Sequence, residues 1–134
     1  MTPRLTLVTA PVVEPVTVQE LKDDRRITHD AADALCDLYL QMARRAVEQR
    51  SGLALLTQTW EAAYDQWPCA TATNPWGGFI LPRPPLQSIT SIKYIDTAGV
   101  EQTLATSEYT VNTRAFPGEV VPAYGKSWPA IRGV

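Results

Sequence analysis

Residues 81–96 read LPRPPLQSITSIKYID, three prolines around an arginine that run straight into an alternating stretch. Pro-rich segments favour extended polyproline II, and the PxxP spacing from Pro82 to Pro85 is also that of a ligand for a recognition domain. The residues that follow weigh against the ligand. As a strand they place Leu86, Ser88, Thr90, Ile92 and Tyr94 on one face and Gln87, Ile89, Ser91, Lys93 and Ile95 on the other. DTAGVEQTL then supplies a turn at residues 96–99 and a returning strand. Pro82, Pro84 and Pro85 lack amide donors, so they suit an edge or the start of a strand rather than a sheet centre. The stretch predicts a rigid lead-in to a β-hairpin, with Arg83 placed to reach a neighbour.

The flanking sequence extends the same pattern. Downstream, SEYTVNT and GEVVPAYG predict a further antiparallel pair turned around Pro117 and Gly118. Upstream, LLTQTWEAAYDQWP reads as a strand rich in Thr and aromatics that ends at Pro68. CATATNPWGG is a loop with turn residues Asn74, Pro75, Gly77 and Gly78, and FIL resumes an extended path.

Before Gly52 the pattern is helical. Thr17 is a good N-cap, Glu20 completes a capping box, and Val16 is the apolar residue before the cap. The helix they begin is short, because DDRRIT offers little apolar face. A second helix runs through THDAADALCDLYLQMARRAVEQRSG. Thr28 or Asp30 would cap it, its acids and arginines complement the macrodipole, and Gly52 lies where a left-handed cap is expected. Ala31, Leu35, Leu38, Met42 and Ala46 form one stripe; Ala32, Cys36, Tyr39, Ala43 and Val47 widen it. One partner needs roughly 100° of helix surface. This helix offers more, and a second subunit or the interior of its own domain would both use it. The fold class expected is therefore α+β: an N-terminal helical part over residues 1–52, one short and one long helix, then a small antiparallel β part with hairpins over residues 53–134.

At 134 residues the chain is long enough for one domain with a modest core. Hydrophobic residues (45%) and charged residues (19%) are in globular proportion, which argues against disorder. A net charge of −2 disfavours non-specific binding through phosphate neutralisation, although a protein that surrounds DNA without gripping it remains allowed. No run approaches the roughly 20 apolar residues of a membrane span. Cys36 and Cys69 show no metal-ligand spacing and form no disulfide framework, so a reducing compartment is the default.

Catalytic templates fail. His29 is the only histidine, and it has no suitably placed nucleophile beside it. There is no phosphate-binding glycine loop, nucleophile elbow or CxxC. His29, Asp33 and Asp37 share a helical face, but the outer two stand about 12 Å apart along the axis, so a solvated acidic face is the better reading than a metal site. The four tryptophans, Trp60, Trp67, Trp76 and Trp128, have no interleaved basic residues of the kind single-strand binders use. Trp60 suits core packing and Trp76, at a glycine-flanked loop tip, an exposed contact. The arginines of ARRAVEQR suit dipole complementation and an i,i+4 pair of Arg44 with Glu48, with a subunit contact as the alternative.

Taken in order, LVTAP…EPVTVQELKDDRRI, SGLALLTQTWE, LPRPPLQSITSIKYIDTAGVEQTL, YTV and VPAYGKSWPAIR resemble the head-tail connector (adaptor) proteins of tailed phages, prophages and related gene transfer agents. TQTWE followed at a distance by LPRPPLQSI is the most specific part. The resemblance implies a structural virion protein and not an enzyme, without cofactor or metal. It implies a dodecameric ring docked beneath the portal protein at the neck of the capsid vertex, assembled in the host bacterial cytoplasm. That ring extends the channel through which DNA passes during packaging and release, without sequence-specific binding or a membrane partner. It also offers a surface to stopper or tail-completion proteins. Family members continue past WPA-R with a strand and helices, which this chain, ending at Val134, would lack. From pattern alone, Leu38, Met42 and Arg45 are candidates for the subunit interface, and Trp76 and Arg83 for partner contacts. A monomeric β-rich module that binds a peptide or glycan through PxxP or Trp76 is the rival reading, and a hydrolase using His29 a remote third.

Overall fold

The computed structural model describes residues 2–132. The chain is α+β, in the order β1 (Arg4–Thr9), α1 (Val18–Arg25), α2 (Asp33–Ser51), β2 (Thr59–Ala63), β3 (Phe79–Ile80), β4 (Lys93–Ile95), β5 (Glu101–Thr103), a 3-10 turn (Thr106–Glu108), β6 (Tyr109–Asn112) and β7 (Glu119–Pro122). It divides into two compact units, Leu7–Trp60 and Met1–Thr6 with Glu61–Val134. β1 and β2 pair as a two-stranded sheet. Residues 4–9 read in the sequence only as a short apolar stretch. They form a strand because Thr6, Val8 and Thr9 are β-branched and favour extended backbone.

In the unit of residues 7–60, α1 begins with the expected capping box. The Thr17 hydroxyl accepts from the Glu20 amide at 3.1 Å, and the Thr17 amide donates to Glu20 Oε2 at 2.8 Å. The helix ends at Arg26 in the left-handed region (φ 55°). α2 starts differently from expectation. Its N-cap is Ala32, with no side-chain bond, rather than Thr28 or Asp30. The Asp30 carboxylate is already committed, accepting from Lys22 Nζ at 2.6 Å. The other end is as expected: Gly52 takes φ 74° and its amide closes on Glu48 O at 2.9 Å.

In the other unit, β3, β7 and β6 form an antiparallel sheet in that order, with Phe79 and Val111 both opposite Val120. β4 and β5 form the expected hairpin, Tyr94 opposite Gln102. Asp96 closes its turn by accepting from the amides of Ala98 and Val100 at 2.9 and 3.0 Å. Phe79, Leu104, Tyr109 and Val120 are buried, and Trp67, Ile89, Ile92, Tyr94 and Trp128 pack on them. Trp67 and Trp128 are structural here: Trp67 Nε1 donates to Pro129 O and Trp128 Nε1 to Gly77 O, each at 2.7 Å. Gly78 fits because a Cβ there would stand 2.6 Å from Val121 Cγ1.

Two strand expectations shorten. The upstream strand keeps only Thr59–Ala63, and the alternating stretch keeps only Lys93–Ile95. Residues 86–92 belong to none of the described strands, although the Leu104 amide donates to Ile92 O at 2.8 Å. Their side chains do not alternate, since Ile89, Ile92 and Tyr94 all turn to the core. The prolines form a bend rather than a straight polyproline II lead-in. Arg83 takes φ 62°, outside that conformation, the Pro84–Pro85 bond is cis, and Pro84 is buried. Leu81 still extends the β3–β7 ladder through its amide to Gly118 O at 2.9 Å.

Candidate functional site

The strongest surface feature belongs to α2, and it follows from which side of the helix is used internally. Cys36, Arg44 and Glu48 are the buried residues of α2. Arg44 is held from two directions. Its Nε and Nη2 donate to the two oxygens of Glu14 at 2.7 and 3.2 Å, and its Nη1 donates to Glu48 Oε2 at 2.8 Å. Glu48 Oε1 in turn accepts from the Leu55 amide at 3.0 Å and from Gln58 Nε2 at 2.7 Å. The bidentate bond from Glu14 dominates in raising the Arg44 pKa above its ordinary value, so the guanidinium is a permanent charge.

A second charged cluster fastens α1 to the start of α2. Lys22, buried on α1, donates to Asp30 Oδ1 at 2.6 Å and Asp33 Oδ1 at 2.8 Å. The Asp30 bond leads, with that to Asp33, in raising the Lys22 pKa, and the same ammonium holds the Asp30 carboxyl below its usual value. Both clusters lie on one side of α2.

The apolar stripe is therefore left outside. Leu35 (48% exposed), Leu38 (50%), Tyr39 (56%) and Met42 (56%), with exposed Ala46, fall within roughly 100° of the helix circumference. Covering what remains exposed of each large side chain would contribute about 1 kcal/mol or more. A contiguous exposed apolar patch of this kind marks an interaction site more often than chance decoration. Exposed Arg45 borders the stripe and Arg50 sits beyond its C-terminal end; neither is paired among the described residues. Residues 10–16 run beside α2 and, with Asp37, Gln41, Arg44 and Arg45, line a shallow groove of about 430 Å³. Val12, Val13 and Val16 on this strap are exposed.

Of the residues singled out in the sequence, Leu38, Met42 and Arg45 come together on this outward face. Trp76 and Arg83 belong to the other unit, on separate segments. Trp76 is 75% exposed at the tip of a turn that Asn74 clamps: its Oδ1 accepts from the Gly78 amide at 3.1 Å and its Nδ2 donates to Gly78 O at 2.7 Å. Arg83 is half-buried and engaged by its own surroundings, so its side chain is less available than the prolines around it suggested. Leu35 and Tyr39 join the stripe, and the strap valines add to the exposed apolar surface. The valines carried one signal, an apolar pair set between Pro11 and Pro15, where missing amides keep the segment out of a ladder. Exposed Phe116 and Tyr124 had no such signal.

His29 is exposed, and no group of three His, Cys, Asp or Glu side chains is placed to hold a metal ion among the described residues. No described helix is long and apolar enough to cross a membrane.

No protein-family model matches the chain, and no curated protein sequence does. Two solved structures are similar to it. One is the neck of an empty gene transfer agent (GTA) particle computed with C6 symmetry, 26% identical with a TM-score of 0.73, over 96% of this chain and 65% of that one. The other is the virion of a native GTA particle, 26% identical with a TM-score of 0.62, over 96% of this chain and 64% of that one. This chain thus spans just under two-thirds of the length of each.

Proposed function

We propose that this chain is a structural subunit of a virion neck, and more finely a head-tail connector (adaptor) that forms a ring beneath the portal protein. The observation that carries the reading is the likeness, over 96% of this chain, to the neck of a GTA particle computed with C6 symmetry. The outward apolar stripe of α2 supports it independently, because a subunit built for a ring needs a surface that is complete only against a neighbour. In this reading Leu38, Met42 and Arg45 meet the adjacent subunit. Trp76, presented by its clamped turn, and Arg83 meet a stopper or tail-completion protein. The net charge of −2 suits a channel wall that lets DNA slide. The role is architectural, without catalysis or a cofactor, and the ring is dodecameric where it seats on a portal.

Native mass spectrometry and negative-stain imaging of the chain, alone and mixed with the portal protein of the same element, test this directly. A closed ring, formed alone or on the portal, is the expected result. A chain that stays monomeric at high concentration and does not bind the portal would overturn the proposal.

A further inference from the structure

Resting on the ring reading above, we infer that the subunit contact is heterologous: the outward stripe of α2 in one copy receives α1 and the residue 10–16 strap of a second copy of this chain. Three observations within the unit of residues 7–60 point to that occupant.

The first is placement. α1 reaches α2 through Lys22 and Asp33, and the strap reaches it through Glu14 and Arg44. Asp33 and Arg44 both lie roughly 160–180° around the helix from Met42, at the centre of the stripe. Stripe and α1 therefore face opposite ways. A contact between opposite faces repeats from copy to copy, and it closes into a ring when the rotation per copy divides a full turn.

The second is charge. α1 shows solvent Glu20, Asp23 and Asp24, and the only ion pair on these acids among the described residues is the surface one of Asp24 with Arg25 at 3.2 Å. The stripe is bordered by Arg45 and Arg50, cations with no ion pair among the described residues. A stripe packed on its own twofold image would meet no such acids, since Asp33 and Asp37 lie off the stripe. A stripe packed on α1 meets Asp23 and Asp24, the Glu20 carboxylate being held by the Thr17 cap. Complementary charges of this kind set register more than raw affinity.

The third is apolar surface. Val12 is 94% exposed, Val13 67% and Val16 41%. They flank α1 in sequence and supply a hydrophobic counterpart for the exposed surface of Leu35, Leu38, Tyr39 and Met42.

Cysteine cross-linking tests the geometry in a Cys69→Ser background, because Cys69 is exposed while Cys36 is buried. A chain carrying both Asp24→Cys and Arg45→Cys should give a ladder of dimers, trimers and larger species on oxidation, while each single variant stays uncross-linked. Dimers from Arg45→Cys alone would mean a twofold contact and overturn the inference. Charge reversal gives a second readout. Asp23→Lys with Asp24→Lys should weaken self-association on the order of tenfold, and Arg45→Glu with Arg50→Glu should restore it. Circular dichroism confirms folding, since all four positions are exposed. Rings that form without a ladder and ignore charge reversal would sink this inference and leave the neck reading standing. Absence of any association, even with the portal present, would remove both.

Discussion

Trp67 and Trp128 stack face to face, ring centroids 4.8 Å apart and planes within 5° of parallel, with Phe79 meeting both edge-on at 5.7 and 5.5 Å. The stack joins residues 61 positions apart in sequence, and its two indole N–H groups anchor neighbouring backbone at Pro129 and Gly77. It therefore fastens the C-terminal segment to the core of its unit. Trp128→Ala should cost about 3 kcal/mol by removing ring contacts and vacating the space. Trp128→Phe, which keeps one aromatic ring in the stack and loses the Nε1 bond and the second ring, should cost about half that. Urea unfolding measures both. Equal costs for the two variants would show that the ring kept in the stack does not hold the segment.

Arg44 carries a different sort of stability. Its side chain and that of Glu48 are each 6% exposed, and that of Glu14 is 15% exposed. Arg44→Met would strand two carboxylates against α2, with an expected loss of about 3 kcal/mol. Removing the charges together, Arg44→Met with Glu48→Gln and Glu14→Gln, should recover much of that loss despite three changes, because no uncompensated charge remains and an amide oxygen at position 48 can still accept from the Leu55 amide and Gln58 Nε2. If the triple variant were less stable than the single one, the ion pairs themselves would be the stabilising element.

This cluster also explains what could be read in the sequence. Periodicity located α2, and the glycine rule placed its C-terminal end, because both depend on local chemistry. Orientation was a different matter. The stripe of Leu35, Leu38 and Met42 is what a core-facing helix shows, while Arg44 and Glu48 at i,i+4 look like a surface pair. Glu14, 30 positions upstream of Arg44, inverts the reading, and no local pattern announces it. Lys22 likewise finds Asp30 and Asp33 at separations of 8 and 11 residues. The hairpin at Asp96–Gly99 was legible because its turn chemistry is contiguous. The length of β4 was not, since pairing depends on a partner strand that ends at Thr103.

The depressed carboxyls give the protein an acid limb. Asp96 is lowered chiefly by the Val100 amide and then by Gln102, Glu20 by the backbone and hydroxyl of Thr17, and Asp30 by Lys22. A lowered folded-state pKa stabilises above the unfolded value and is lost as pH falls through the folded one. Stability should thus hold from neutral pH to about pH 5 and fall below the ordinary aspartate value of 3.8. Lys22 acts in the opposite sense: its raised pKa stabilises below the ordinary value of 10.5, and that contribution is lost as pH rises through the folded-state value. The Glu20 and Asp30 carboxyls are exposed, so added salt should weaken their share of the pH dependence. Urea midpoints against pH check the curve, and Asp96→Asn should flatten its acid limb. An unchanged limb in that variant would remove Asp96 from the account.

Gly78 predicts where the sheet meets the loop that carries Trp76. A Cβ there would sit 2.6 Å from Val121 Cγ1 and 2.8 Å from Val120 O, and the carbonyl cannot swing away without breaking β7. Gly78→Ala should therefore cost about 1–3 kcal/mol and loosen the bonds from Asn74 that clamp the turn. Trp76→Ala, at a position 75% exposed, should leave stability within about 0.5 kcal/mol. If Trp76 is a partner contact, both substitutions weaken capture of the tail-side protein, but only the first lowers the urea midpoint. Binding measured at a denaturant-free concentration where both variants are fully folded separates the two effects. Undiminished binding by Trp76→Ala would remove this loop from the docking surface.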